Sequence, residues 1–151
     1  MEPGILGRQW ITQLGLIVRD INATAKKYAD FFGMDFPEII TTDAYDKAQT
    51  QYNGKPTKAR ARLAFFRPSG GLEIELIEPD EHPSTWREFL DRNGEGVHHI
   101  AFIVKDIKGK VTKLNEIGMP LVQQGEYTGG RYAYVNSIPD LKVMIELLEN
   151  D

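Results

Sequence analysis

Residues 13–21, QLGLIVRDI, return at 99–107 as HIAFIVKDI, with Ile17, Val18, Asp20 and Ile21 matched by Ile103, Val104, Asp106 and Ile107. The match runs on through Lys27 and Lys113 and, after one gap, to the Gly-Met pairs at 33–34 and 118–119. RLAFF at 62–66 is answered by RYAYV at 131–135, and IELIE at 74–78 by IELLE at 145–149. One unit, used twice in the same order, restricts the chain to folds in which two equivalent pieces share a core.

Each copy opens on an apolar run (13–18 and 99–104) that reads as a strand and ends at an Asp suited to cap a helix. Ala25, Tyr28, Phe31 and Phe32 recur at helical spacing within 22–32, as do Ile107, Val111, Leu114 and Ile117 within 107–117. Gly33 and Gly118 stand where those helices end. Two or three strands follow, so the unit is β-α-β-β-β. The predicted class is α+β: two tandem β-α-β-β-β modules forming a cupped, half-open barrel sheet. A single domain over 1–151 is expected, with the first module at about 9–80, a connecting helix within 81–96 and the second module at 97–151. Ser84 is the expected cap of the connecting helix, with Glu88 close enough to assist. The first module carries an insertion around 41–60, holding Tyr45, Tyr52, Lys55 and Lys58, which reads either as a flap over a substrate or as a surface loop.

The bulk composition narrows the function. A net charge of -4 gives no nucleic-acid footprint, and the Lys58, Arg60, Arg62 stretch is only local. The absence of cysteine excludes disulfides, thiol nucleophiles and thiolate metal sites. No segment has the length to span a bilayer, and MEPGILGRQW lacks a signal-peptide core, so a cytoplasmic protein with no membrane partner is expected.

The repeat aligns Gln13 with His99 and Glu75 with Glu146. All four carry metal-binding atoms, and all four interrupt apolar strands. A polar side chain in such a place needs a partner or costs roughly 1–3 kcal/mol. Two curved sheets related by the repeat would bring the four onto one concave surface. There the two carboxylates would repel unless a cation lay between them. One imidazole nitrogen, one amide oxygen and two carboxylates suit a divalent ion with open water positions. We therefore expect one divalent metal ion per chain (Zn, Ni, Co, Mn or Mg) on Gln13, Glu75, His99 and Glu146. Strand alternation turns His98 to the opposite face, where it would make structural hydrogen bonds. Trp86 and Phe89 read as core or dimer contacts.

GEGVHHIAFIVKDI at 94–107, the repeated strand–helix unit, and the IELIEP and IELLE strands resemble the vicinal oxygen chelate superfamily, over nearly the whole chain. The stretch STWREFLDRNGEGVHHIAF is similar to methylmalonyl-CoA epimerases. The metal positions implied by the resemblance fall on the same four residues. In the epimerases a His stands in the place of Gln13; the set Gln, Glu, His, Glu looks instead like that of glyoxalase I (lactoylglutathione lyase). The second glutamate base of the epimerases would fall near Leu63, and 47–72 contains no Asp or Glu.

The resemblance implies an isomerase or lyase that abstracts a proton alpha to a carbonyl through a metal-bound enediolate, with Glu146 as the base. A methylmalonyl-CoA epimerase-like racemase is the alternative within this chemistry, and a non-catalytic, drug-sequestering protein of the same fold the alternative outside it. The expected partner is a small molecule, a carboxylate or thioester, and the expected assembly a homodimer. Gly129, Gly130, Arg131 and its repeat equivalent Arg62 are candidate substrate contacts: the glycines would let backbone approach a ligand, and the arginines would hold an acid. The competing reading is a tight turn followed by an exposed Arg.

Overall fold

The computed structural model describes residues 4–7 and 10–151; the expected module start at Gln9 lies outside them. The strands, numbered along the chain, are β1 (Gln13–Ile17), β2 (Ile40–Thr41), β3 (Gln51–Tyr52), β4 (Lys55–Pro56), β5 (Ala61–Phe66), β6 (Glu73–Pro79), β7 (Gly96–Ile103), β8 (Leu121–Tyr127), β9 (Gly130–Val135) and β10 (Met144–Asn150). The helices are α1 (Ile21–Phe32), α2 (Tyr45–Ala48), α3 (Thr85–Asn93), α4 (Ile107–Glu116) and α5 (Ile138–Leu141). No helix among the described residues is long and apolar enough to cross a membrane.

Both long module helices start where their aspartates allow. Asp20 Oδ1 accepts from the Ala23 amide and Asp106 Oδ1 from that of Gly109. Gly33 closes α1 in the left-handed conformation, φ 64°. Ser84 caps α3 through the Arg87 amide at 2.9 Å. Glu88 takes no part in that cap; it pairs with Arg92 and accepts the Tyr52 hydroxyl.

The expected cup is one continuous sheet, in the order β2-β5-β6-β1-β7-β10-β9-β8-β3-β4. The repeat is visible in it. Each module runs from its first strand through its last to its second, and β1 and β7 join the modules antiparallel at the centre. Helices α1 and α4 cover the convex side, over Leu76, Ala64 and Phe66 in one module and Ala133, Ile145 and Leu147 in the other. Helix α3 closes one end of the concave side, where Trp86 and Leu90 pack with Ile17, Ile77, Tyr134 and Met144.

The insertion is not a plain surface loop. It leaves the first module at β2, crosses to the far edge of the sheet, pairs β3 with β8 (Gln51 opposite Gln124), and returns to begin β5. Thr57 Oγ1 donates to the Pro83 carbonyl at 2.7 Å, and Tyr52 donates to Glu88. The segment is a strap joining the two lips of the cup.

Candidate metal centre

The concave face of the central strands is built around two missing side chains. Gly15 has Glu75 opposite it on β6 and His99 opposite it on β7. Ala101 has Gln13 opposite it on β1 and Glu146 on β10. Gly15 and Ala101 are themselves repeat equivalents. The four polar side chains therefore flank two positions that offer a hydrogen and a methyl group, and they lean into the space left there. The space above Gly15 is taken by the His99 ring, which a Cβ at this position would overlap.

The functional atoms converge. His99 Nε2 lies 2.9 Å from Gln13 Oε1, 2.9 Å from Glu146 Oε2 and 3.5 Å from Glu75 Oε1. His99 is fully buried, and Gln13, Glu75 and Glu146 are each at most 8% exposed. Burial, then the neighbouring carboxylates of Glu146 and Glu73, hold the Glu75 carboxyl well above the usual carboxylate range. Glu146 Oε2 has no hydrogen-bond partner: its contact with His99 is close but not aligned. Donors about 2.1 Å from a common ion, at right angles, stand about 3 Å apart. The spacing, the acidic charge and the orphaned oxygen all fit a divalent cation.

The amide of Gln13 is oriented from behind. Its Nε2 donates to Glu73 Oε1 at 2.7 Å, which leaves Oε1 directed at His99. Glu73 is held in turn by Arg67 at 2.6 Å.

His98 departs from its expected position. The β1–β7 register shifts between Gly15 and Leu16, so that Gly15 faces His99 while Leu16 faces Val97. His98 is the extra residue of a bulge, which breaks strict alternation. Its ring is 2% exposed, with Nδ1 2.9 Å from His99 Nδ1. Burial, then the neighbouring His99, push its pKa well below the usual histidine value.

The expected substrate contacts lie elsewhere. Arg62 pairs with Glu78, and Arg131 with Glu149, Asp151 and Glu126. Both stand one residue out of phase with the cup-facing Leu63 and Tyr132, so they project from the convex side. Gly129, φ 92°, makes the β8–β9 turn, and a Cβ on Gly130 would strike the Glu149 carbonyl. None of these four residues lines the cup: the two glycines belong to the β8–β9 turn region and the two arginines are held in ion pairs.

Above the cluster the cup encloses about 1320 Å3, more than the roughly 300–1,000 Å3 of ordinary small-molecule sites. Phe65, Trp86, Tyr127, Tyr132 and Tyr134 supply aromatic wall, and Gln13, Glu75 and Glu146 reach the interior. Asp43, in the strap just after β2, also lines it. Sequence reasoning missed this carboxylate because nothing local shows that the insertion crosses the cup.

A family model for the glyoxalase/bleomycin resistance protein/dioxygenase superfamily matches residues 12–135. The chain belongs to that superfamily. Within it, the chain is 31% identical over 143 residues to the uncharacterized protein YqjC of Bacillus subtilis (strain 168), covering 92% of this chain and 91% of the relative. The methylmalonyl-CoA epimerase of Mycobacterium tuberculosis shares the superfamily fold with a TM-score of 0.66 and 22% identity, over 100% of this chain and 93% of the other. A methylmalonyl-CoA epimerase in complex with methylmalonyl-CoA and NH4+ superposes with a TM-score of 0.62 at 22% identity, over 94% of each chain. At these identities the superpositions speak for the fold.

Proposed function

We propose that this protein is a divalent-metal-dependent enzyme that removes a proton alpha to a carbonyl, as a glyoxalase-type isomerase or lyase. The observation that carries the reading is the buried convergence of Gln13, Glu75, His99 and Glu146, with Glu146 Oε2 left without a hydrogen-bond partner. A drug-sequestering protein of the same fold needs no such buried acidic cluster, whose assembly without a cation is costly.

Gln13, Glu75, His99 and Glu146 would hold the ion. When bound, it would polarise a substrate carbonyl and acidify the adjacent C–H. Glu146, like Glu75, reaches both the cluster and the cavity, and is the carboxylate that would take that proton and return it. Glu75 would offset the charge of the ion. Glu73 and Arg67 keep the Gln13 oxygen turned inward. The aromatic walls would limit the access of water to the carbonyl. The cavity volume accommodates an acyl thioester as readily as a small hydroxycarbonyl compound, and the structural relative that holds methylmalonyl-CoA supports the thioester class.

One observation favours a second reading, an epimerase. Leu63 stands in the cavity wall near where the resemblance would put a second base, but Asp43 lines the same cavity from the first-module lip, across the sheet from β10. A base there would serve the opposite face of the substrate carbon.

The test is solvent exchange in heavy water over a panel of hydroxycarbonyl compounds and 2-substituted acyl thioesters, with metal-loaded protein. The proposal expects exchange at the alpha carbon that Glu146→Gln abolishes while much of the metal is retained. Exchange at wild-type rate in Glu146→Gln would remove that residue from the role. Retained configuration in Asp43→Asn, with racemised product from the wild type, would establish the epimerase.

A further inference from the structure

The mechanism above leaves a buried imidazole unused. His98 sits behind His99, away from the cavity, and its two ring nitrogens each meet one partner. Nδ1 is 2.9 Å from His99 Nδ1, and Nε2 is 3.1 Å from Thr85 Oγ1. Thr85 Oγ1 is in turn 3.5 Å from Met144 Sδ. The surroundings are fixed: the Thr85 amide donates to Gln123 Oε1 at 2.8 Å, and the rings of Phe89 and Tyr134 stand edge-on to His98 at 5.4 and 5.2 Å.

A neutral imidazole carries one N–H and one lone pair, so this line of atoms has only two hydrogen orderings. In the first, His99 carries its proton on Nδ1 and donates to His98 Nδ1. His98 is then protonated on Nε2 and donates to Thr85 Oγ1, whose hydroxyl hydrogen turns to Met144 Sδ. Every donor has an acceptor, and the Nε2 lone pair of His99 is free toward Gln13, Glu75 and Glu146. In the second, each hydrogen is reversed. The His99 proton then sits on Nε2, between Gln13 Oε1 and Glu146 Oε2, in the place a cation would take. The partner at Nδ1 thus decides which nitrogen of His99 can act as a ligand.

We propose that His98 is a positioning residue, which fixes the ring plane and tautomer of His99 through the His99–His98–Thr85 chain so that Nε2 is presented to the ion. The inference rests on reading the four-donor cluster as a metal centre. It assigns a purpose to the β7 bulge: without the extra residue, His98 would face the helices on the convex side and His99 would lack this partner.

Two measurements test it. In 15N-labelled protein the two Nδ1 atoms should show a through-hydrogen-bond nitrogen–nitrogen coupling, and loading with Zn2+ should place the shared proton on His99. In calorimetric titration with Co2+, His98→Phe should bind roughly ten- to a hundredfold more weakly than the wild type. His98→Asn, whose side-chain oxygen can accept in place of Nδ1, should recover most of that loss. A natively folded His98→Phe with wild-type Co2+ affinity overturns the proposal, as does the absence of the coupling in both metal-free and loaded protein. A wild type that shows the coupling but takes up neither ion refutes the metal reading while upholding the contact between the rings.

Discussion

Gly15 makes the site possible. The His99 ring lies against its backbone, and any side chain there must move either the ring or the strand. Gly15→Ala should therefore cost about 1–3 kcal/mol in stability, the range of an overpacked core. It should also weaken Co2+ binding at least tenfold by tilting Nε2 away from the carboxylates. Chemical denaturation and calorimetry check the two effects. A Gly15→Ala protein with native stability and affinity would show that the ring has room to shift. Much of this residue-level picture was legible in the sequence. Repeat alignment picked out Gln13, Glu75, His99 and Glu146, because a polar residue at the same place in two copies of an apolar strand is hard to explain singly. The small pair Gly15 and Ala101 carries the same signal, two positions further on in each copy. The placement of His98 beside His99 is illegible in the sequence, because a bulge leaves no mark in a pattern of alternation.

At the scale of elements, the strap is where sequence reasoning stopped. Helices α1 and α4 announce themselves by local periodicity and by aspartate caps. Strands β3 and β4 are two residues each; β3 exists through pairing with β8, a partner remote in the chain, and β4 through pairing with β3. The placement of Arg62 and Arg131 outside the cup is illegible for a related reason: which face of a strand is concave depends on its register with a distant neighbour. The strap is latched by the Tyr52 hydroxyl on Glu88, and burial together with that carboxylate pushes the Tyr52 pKa up to about 12. The folded state thus holds this proton more tightly than the unfolded chain does, whose tyrosine titrates near 10. The latch contributes fully below about pH 10 and is lost as pH rises toward about 12. Urea denaturation across that window should show the wild type losing more stability than Tyr52→Phe, which has no such proton. Parallel curves for the two proteins would mean that the hydroxyl contributes nothing to the closure.

At the scale of the whole molecule, duplication supplies the chemistry. Two modules that each bring one ligand from a first strand and one from a last strand need only join through β1 and β7 for four donors to meet. An ion held there would stabilise the junction between the modules. A bound ion at one hundred times its dissociation constant adds about 2.7 kcal/mol to folding stability. Melting temperature should accordingly rise with Co2+ in the wild type and stay level in His99→Ala. The most direct measurement is calorimetric titration of chelator-stripped protein with Co2+, on the wild type and on Glu75→Ala and His99→Ala. The account predicts one ion per chain in the wild type and at least a hundredfold weaker binding in each variant. Unchanged stoichiometry and affinity in His99→Ala, or no uptake by the wild type, would contradict it.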